Sequence, residues 1–359
     1  MTRGSVVNAV RRPRLAVVTP APAARPASVT LNDVAAAAGV SLATASRVLN
    51  GSTRVVAETY RVRVEKAAAE LGYSANLSAQ ATARGTSAVV ALLVADIADP
   101  YFGELAAGVA RGADEAGLVV TIATTDRDPD RELRLVRALR GQRPRGVILA
   151  ASRTSAEFPA DLARELDLIA SAGGRVVALG AGAGAVRGIA LDNRGGAEAL
   201  GRALADAGYR KAVVLAAAEG VVTSDDRVAG FTAGFVAAGG ADPRVVRGGF
   251  TREAGAAAMA EALADGVAPG TVVFGISDVV AIGAMGAVRA AGRDIGADIA
   301  LCGFDDIPTS RDVTPALTTV RVPLEAIGYA ALRAAVDADD APVPPALEVV
   351  LRASTPPRP

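Results

Sequence analysis

The sequence contains no histidine, and this absence excludes several kinds of catalytic site. Ser-His-Asp and Cys-His catalysis both need an imidazole, and histidine is a common ligand of zinc. The single cysteine, Cys302, cannot form an intramolecular disulfide, and its place in the apolar run IALCGF predicts a buried strand residue. The chain also lacks a P-loop and a GxGxxG motif after a strand. These absences argue against an enzyme, and we expect no metal and no cofactor.

Tryptophan is also absent, and aromatic residues make up only 3% of a chain that is 51% hydrophobic. The core must therefore be built from alanine, valine, leucine and isoleucine. The sequence has no run of 18 or more apolar residues, so we predict no membrane-spanning helix and no membrane partner.

The first 28 residues are rich in proline, alanine and arginine, and they allow two interpretations. One is a secretory signal, because Ala-Pro-Ala resembles a cleavage site. However, the apolar run from Leu15 is short and is interrupted by Pro20 and Pro22. The composition favours the other interpretation, a disordered basic extension of a cytoplasmic protein.

Charge is distributed unevenly along the chain, although the formal net charge is zero. Residues 1–85 hold 11 Lys/Arg and 4 Asp/Glu, a net charge of +7, whereas the remaining 274 residues hold 27 and 34, a net charge of −7. A basic amino-terminal part on an acidic body suggests a polyanion-binding module attached to a domain of another kind. Five of the basic residues lie in the first 28, so a basic tail explains part of the asymmetry.

Helical periodicity begins after Thr30, and it predicts three short helices in about 45 residues. Thr30 and Asp33 have the spacing of a capping box, with Asp in place of Glu. Gly39 ends the first helix, Ser41 can cap the second, and the third is predicted to end at Leu71. Two helices that are joined by a tight glycine turn and followed by a third match a helix-turn-helix unit.

The second of these helices has two chemically different faces. At 100° per residue, Ala45, Val48 and Leu49 lie on the side that can pack against the first helix. The candidate DNA contacts of this helix are Ser41, Leu42, Ala43, Thr44, Ser46, Arg47 and Asn50. Arg47 can pair with guanine or with a phosphate, and serine and threonine hydroxyls suit phosphate oxygens. The alternative is an ordinary solvated helix face, but the basic bias and the glycine turn favour DNA.

From residue 88 onward, continuous apolar strands alternate with helices. This alternation predicts parallel sheets that are covered on both faces. We expect two such sets, the second beginning at the run GIALDN (188–193), and one last strand in the tail APVPPALEVVLRAS. Two sets imply two lobes, with a ligand cleft at the carboxyl ends of their strands.

Two charged residues follow predicted strands of the second set. Arg227 is predicted at the start of a helix (226–238), and Asp278 follows a strand at 271–276. A guanidinium and a carboxylate together can bind several hydroxyls of a sugar or polyol. Each residue also has an ordinary explanation, a helix-start charge for Arg227 and an N-cap for Asp278.

The ordered series of motifs resembles the lactose-repressor/galactose-repressor (LacI/GalR) family over nearly all of residues 29–355. The headpiece motifs are TLNDVA (30–35), SLATASRVLNG (41–51), VE (64–65), ELGY (70–73) and Asn76. The second-lobe motifs are LDN (191–193), RVAGF (227–231), SD (277–278), Ala281, Gly283-Ala284, GFDD (303–306) and PALTTV (315–320). The resemblance implies an all-α helix-turn-helix headpiece and an α/β two-lobed, periplasmic-binding-protein-like domain with parallel sheets.

The same resemblance implies a homodimer that places two headpieces in adjacent major grooves of a pseudo-palindromic operator. It adds Thr30, Tyr73 and Asn76 to the candidate DNA contacts. It also implies that residues 76–84 form a hinge helix on DNA, with Thr82 where the family usually has a leucine wedge in the minor groove. Because threonine is shorter and polar, we expect weaker kinking at the operator centre.

Two further departures from the family pattern affect the headpiece. Leu42 and Ala43 are apolar where family members often carry polar base readers, so hydrogen-bonded discrimination of bases in this helix falls mostly to Arg47. The segment 58–64 is one residue longer than usual, around Tyr60, which could move the start of the third helix.

For the cleft, the resemblance implies that Arg227 and Asp278 bind the effector and that Phe250 stacks on the ligand ring. Residues at strand ends of the first lobe would form the opposite wall, although the adjacent Tyr-Phe pair could equally belong to the core. The candidate ligand-binding residues are Tyr101, Phe102, Asp126, Asp192, Arg227, Phe250 and Asp278.

We therefore predict a cytoplasmic, sequence-specific transcriptional regulator, a repressor whose operator affinity changes when a small ligand, usually a sugar in this family, binds the cleft. The expected domains are the extension 1–28, the headpiece 29–75, the hinge 76–86 and the effector-binding and dimerisation domain 87–359, with lobe one at about 87–188 and 318–340 and lobe two at about 189–317 and 341–355. The alternative is a periplasmic-type solute-binding protein, in which a signal peptide would lead straight into the first strand. Here about 50 residues of helix-turn-helix intervene.

Overall fold

The computed structural model describes residues 29–49, 56–73, 87–151, 157–337 and 345–358. The chain divides into two compact units, residues 1–76 and residues 77–359. The predictions for residues 1–28, for the hinge, and for Asn50, Asn76 and Thr82 lie outside the described residues.

The first unit contains the three predicted helices, α1 (Leu31–Ala38), α2 (Leu42–Leu49) and α3 (Glu58–Leu71). The capping box is confirmed, because the Thr30 amide and hydroxyl donate to Asp33 Oδ2 at 2.8 and 2.7 Å and the Asp33 amide approaches Thr30 Oγ1 at 3.4 Å. Gly39 ends α1 with φ at 62°, a left-handed conformation that favours glycine. The small core of this unit consists of Val34, Ala35, Ala38, Ala45, Val64, Ala67 and Ala68.

The second unit begins with a five-stranded parallel sheet of order β2-β1-β3-β4-β5. Its elements are β1 (Val89–Val94), α4 (Pro100–Glu115), β2 (Val119–Thr124), α5 (Pro129–Gly141), β3 (Gly146–Leu149), α6 (Ala160–Ser171), β4 (Arg175–Leu179) and β5 (Val186–Ile189). The central strand β1 is buried on both faces: Ala91 and Leu93 contribute to one apolar cluster, and Val90, Leu92 and Val94 to another. This explains why its sequence is continuously apolar.

A four-stranded parallel sheet of order β7-β6-β8-β9 follows. Its elements are α7 (Asn193–Asp206), β6 (Ala212–Ala217), α8 (Val222–Ala237), β7 (Arg244–Gly248), α9 (Arg252–Ala264), β8 (Val272–Gly275), α10 (Asp278–Ala290) and β9 (Ala300–Cys302). Cys302 is fully buried in its strand, as predicted.

The chain ends with α11 (Thr309–Asp312), β10 (Thr319–Arg321), α12 (Leu324–Val336) and β11 (Glu348–Val350). Strands β10 and β11 form an antiparallel pair. Helix α12 returns to the first sheet and packs on α4. Among the described residues, no helix combines the length and the apolar character that a membrane span requires.

The structure corrects two sequence predictions about these elements. The run GIALDN does not open the second set, because β5 is the fifth strand of the first sheet and the second set begins with α7. Helix α8 begins at Val222 rather than at 226, so Arg227 lies in its second turn. The two parallel sheets nevertheless match the predicted fold class.

Candidate ligand cleft and DNA-facing helix

Helix α2 divides its residues between the headpiece core and solvent as its periodicity predicts. Ala45 is fully buried, and Val48 and Leu49 pack against the headpiece core. Arg47 and Ala43 are exposed on the other side. The helix therefore presents its basic side chain to solvent, while apolar contacts hold its opposite face.

The start of α2 is also solvent-facing. Leu42 is 48% exposed, and Ser41 is exposed with its hydroxyl 2.9 Å from that of Thr44. The Thr44 amide donates to Ser41 Oγ at 3.2 Å, so Ser41 caps the helix as predicted. The half-buried Ser46 lies one turn further along.

The other two described DNA-binding candidates also have structural contacts. Thr30 is exposed but its hydroxyl belongs to the capping box of α1. Tyr73 is half-buried, and its ring packs against the headpiece core.

A cleft in the second unit holds about 580 Å³ of empty space, its open mouth included. It is lined by Asp99, Tyr101, Phe102, Arg127, Ala150, Leu179, Gly180, Leu191, Asn193, Thr223, Arg227, Phe250, Ser277 and Asp305. These residues come from both lobes, and many of them directly follow strands of the two sheets. The position agrees with the rule that parallel sheets bind ligands beyond the carboxyl ends of their strands.

Arg227 lies in this cleft and is only 3% exposed. Several groups contact its guanidinium. Its Nε donates to Asn193 Oδ1 at 2.9 Å, and its Nη1 donates to the Ile276 carbonyl at 2.7 Å. The guanidinium also lies 3.8 Å from the centroid of the Phe304 ring. These contacts fix the guanidinium in one orientation, which suits recognition of a ligand.

The carboxylate beside Arg227 belongs to Asp305, which the sequence analysis did not select. Oδ1 of Asp305 lies 3.0 Å from Nη2 of Arg227, a buried ion pair whose alignment is poor for a hydrogen bond. Burial raises the pKa of Asp305 to about 7, although Arg227 opposes the shift. The GFDD motif contains two adjacent aspartates, and the sequence does not show which of them lines the cleft. The backbone decides this, with φ at 117° for Asp305.

Asp278 is not in the lining of the cleft. It is fully buried, and its two carboxylate oxygens accept from the Ile307 amide at 2.9 Å and from the Thr319 hydroxyl at 2.6 Å. Burial raises the pKa of Asp278, with a further contribution from the nearby Asp305. The carboxylate therefore anchors the segment that carries Asp305, and the N-cap of α10 is Ser277 instead.

Asp126 and Asp192 are also absent from the lining. Asp126 forms an ion pair with Arg131, and Asp192 caps α7 by accepting from the Gly195 amide at 2.8 Å. In both cases the next residue, Arg127 or Asn193, lines the cleft. The lining side chain at each of these strand ends is therefore one residue later than the predicted one.

The three predicted aromatic residues all line the cleft. Tyr101 and Phe102 meet edge to face, with ring centroids 5.0 Å apart, and Phe102 is only 4% exposed. The pair therefore belongs to the core and to the wall of the cleft at once. Phe250 is half-buried on the opposite lobe, with the Arg127 guanidinium 5.0 Å from its ring centroid.

Sequence comparisons identify relatives along almost the whole chain. Residues 30–76 match the family of bacterial regulatory proteins, lacI family, and residues 202–356 match the periplasmic binding protein-like domain. The HTH-type transcriptional regulator CelR of Thermobifida fusca is 33% identical over 315 residues, which cover 86% of this chain and 91% of CelR. The regulator GalR of Escherichia coli K12 is 34% identical over 319 residues, which cover 88% of this chain and 91% of GalR.

Solved structures agree with these matches. The lac repressor dimer bound to operator and the anti-inducer ONPF has a TM-score of 0.77 at 25% identity, covering 92% of this chain and 100% of that one. The CelR–cellobiose complex has a TM-score of 0.63 at 31% identity, covering 91% and 99%. The curated relatives are transcriptional regulators rather than enzymes or solute-binding proteins. The chain is therefore a DNA-binding transcriptional regulator that belongs to the LacI family.

Proposed function

We propose that this regulator represses transcription as a cytoplasmic homodimer whose operator affinity is changed by a sugar in the cleft. The dimer is supported by the structural similarity to the lac repressor dimer, and the sugar by the similarity to the CelR–cellobiose complex. A dimer would place two copies of α2 in successive major grooves of a pseudo-palindromic operator. The proposed domains are the headpiece 29–75, the hinge 76–86 and the two-lobed effector-binding and dimerisation domain 87–359.

In this proposal, Arg47 reads a base and Ser41, Thr44 and Ser46 contact phosphates. The exposure of Arg47 supports its role, because no described contact ties the guanidinium to the headpiece. Leu42 and Ala43 can contact a thymine methyl group but cannot form bidentate hydrogen bonds. Thr30, Tyr73, Asn50, Asn76 and Thr82 complete the proposed DNA-binding set.

The buried pair of Arg227 and Asp305, with Nη2 and Oδ1 3.0 Å apart in the cleft lining, is the observation that carries the ligand proposal. A buried carboxylate is stabilised by well-aligned hydrogen bonds, and a ligand hydroxyl can donate one to Asp305. The adjacent guanidinium can donate to an oxygen of the same ligand, and Phe250 and Tyr101 offer apolar faces for a sugar ring. A polyhydroxylated ligand satisfies all these groups together.

Ligand binding would change operator affinity through the relative position of the two lobes, because the cleft is lined from both. Such coupling between two sites typically amounts to about 1–3 kcal/mol, or roughly a 5- to 150-fold change in affinity. Asp278, Asp126 and Asp192 support the cleft in this scheme by positioning the residues beside them.

The experiment has two stages. An operator is first selected from random DNA with the full chain, and its affinity is then measured at fixed salt with and without each sugar of a panel. We expect one sugar to change operator affinity in the wild type and in Asp242→Ala, an exposed control, but not in Asp305→Asn. Failure to select any operator would contradict the DNA-binding part, and an undiminished response in Asp305→Asn would contradict the ligand site.

A further inference from the structure

Arg127 reaches the cleft from a loop with an uncommon backbone conformation. Asp126 and Arg127 both have positive φ, 54° and 58°, which is rare for residues other than glycine. The loop is fixed by hydrogen bonds that continue the strand ladder, from the Thr125 amide to the Val94 carbonyl and from the Asp126 amide to the Ala95 carbonyl, each at 2.9 Å. The strained loop thus holds the Arg127 side chain at the cleft.

The guanidinium of Arg127 has no acceptor in the described part of the chain. It lines the cleft and lies over the Phe250 ring, but no described group accepts a hydrogen bond from it or pairs with it. The acidic residues next to it are engaged elsewhere. Asp126 pairs with Arg131, and Asp128 caps α5 by accepting from the Asp130 amide at 2.9 Å. All the side-chain donors of Arg127 are therefore free for a ligand.

The other charged groups of the cleft are better satisfied. Arg227 is matched by Asp305 and hydrogen-bonded by Asn193. Asp99 accepts from the Tyr101 amide at 3.0 Å. Desolvation at the cleft lowers the pKa of Arg127, and Asp99 and Asp96, both beyond ion-pair distance, oppose this shift. Arg127 is exposed, and no described carboxylate lies within ion-pair distance of its guanidinium.

We propose that the effector carries an anionic group, a carboxylate or a phosphate, which Arg127 binds while Arg227 and Asp305 bind hydroxyl groups of the same molecule. This inference rests on the proposed function of the cleft and specifies its ligand class. A planar guanidinium matches a carboxylate or a phosphate with two parallel hydrogen bonds. A carboxylate or phosphate can accept both bonds and adds ionic attraction, which a neutral sugar hydroxyl does not, so an anion uses Arg127 better.

The test compares neutral sugars with their own anionic derivatives. The probes are D-galactose, D-galacturonate and D-galactose 6-phosphate, and D-glucose, D-glucuronate and D-glucose 6-phosphate. Dissociation constants are measured by isothermal titration calorimetry with the full chain at neutral pH and two salt concentrations. We expect at least one anionic probe to bind about tenfold or more tightly than its neutral parent, with an affinity that falls as salt rises. The uronate and the phosphate arms distinguish the two kinds of anion.

Substitutions assign the effect to Arg127. For the preferred anionic probe, Arg127→Gln should weaken binding by about tenfold or more, and Arg127→Lys, which keeps the charge but loses the planar fork, by less. The affinity for the neutral parent sugar should fall by no more than about threefold in Arg127→Gln. The matched control is Arg164→Gln, which removes the same charge from an exposed position on α6 and should leave every affinity unchanged.

Three results would overturn the inference. The neutral sugars could bind at least as tightly as both of their anionic derivatives, or no anionic probe could bind. Alternatively, Arg127→Gln could weaken the binding of neutral and anionic probes by the same factor. The proposed function fails separately. A neutral sugar that changes operator affinity would support the proposed function even if every anionic probe failed. Anion binding that is intact in Asp305→Asn and leaves operator affinity unchanged would contradict it.

Discussion

The substitution Asp278→Ala separates two roles that the sequence alone could not distinguish. If Asp278 binds the effector directly, its removal should weaken ligand binding and leave the fold intact. In the structure its carboxylate instead accepts from the buried Ile307 amide and from the buried Thr319 hydroxyl. We therefore expect the variant to lose stability first.

The size of this loss follows from the two donors that remain. A buried donor without a partner costs about 1–3 kcal/mol, so two of them cost roughly 2–6 kcal/mol. Removal of a buried carboxylate, whose pKa burial raises, offsets part of that cost. For a unit of this size, each kcal/mol shifts the unfolding temperature by about 2–4 °C. The two donors alone correspond to a drop of about 4 °C or more, and the offset makes the expected net drop somewhat smaller.

Differential scanning calorimetry of the ligand-free chain measures this shift. The control is Asp242→Ala, in which an exposed carboxylate of the same lobe is removed and a change within about 0.5 kcal/mol is expected. Ligand affinity is then measured well below the unfolding temperature of each variant, so that both are folded.

An Asp278→Ala variant that unfolds within about 1 °C of the wild type yet no longer binds ligand would refute this reasoning. It would show that Asp278 contacts the effector and that the carboxylate is dispensable for the segment that carries Asp305.

Three further predictions concern other parts of the chain. Arg47→Ala should weaken specific operator binding by about 1–3 kcal/mol per site, whereas Ala43→Ser should change it little. Fluorescence anisotropy measures both affinities, and equal losses would show that the groove-facing side of α2 is assigned wrongly. The pKa of Asp305 is raised from 3.8 to about 7, so the folded state keeps a proton that the unfolded chain releases. The free energy of unfolding should therefore decrease as pH rises through this window, less so in Asp305→Asn; urea titrations at pH 5 and 8 that show equal slopes for both would contradict this. Gly108→Ala would place a methyl carbon 1.9 Å from the Glu325 carbonyl oxygen. The first lobe should therefore lose about 1–3 kcal/mol or more of stability in chemical denaturation. An unchanged stability would mean that α4 and α12 separate easily.

Much of the fold follows from patterns that are local in the sequence. The capping box of Thr30 and the left-handed turn at Gly39 depend on neighbours within a few residues, so the sequence indicates them directly. The two faces of α2 follow from its periodicity in the same way. The assignment of β5 to a sheet is different, because strand pairing depends on residues far apart in the chain.

The candidate site likewise has features that local sequence patterns predict and features that only the tertiary structure decides. Sequence patterns located the strand ends, and Tyr101, Phe102, Arg227 and Phe250 do line the cleft. They did not decide which residue at each strand end lines it. A turn after a strand changes direction within one residue, so Arg127 lines the cleft and Asp126 does not.

By itself, the sequence determined the type and order of the elements, the helix-turn-helix headpiece and the family, because these depend on periodicity, caps and ordered motifs. Only the tertiary structure decided that Asp305 lies beside Arg227 while Asp278 is an internal anchor. The same is true of Arg127, whose free guanidinium is evident only once both lobes are in place. The physical reason is that burial and the pairing of charges depend on distances between residues remote in sequence, which no local pattern encodes.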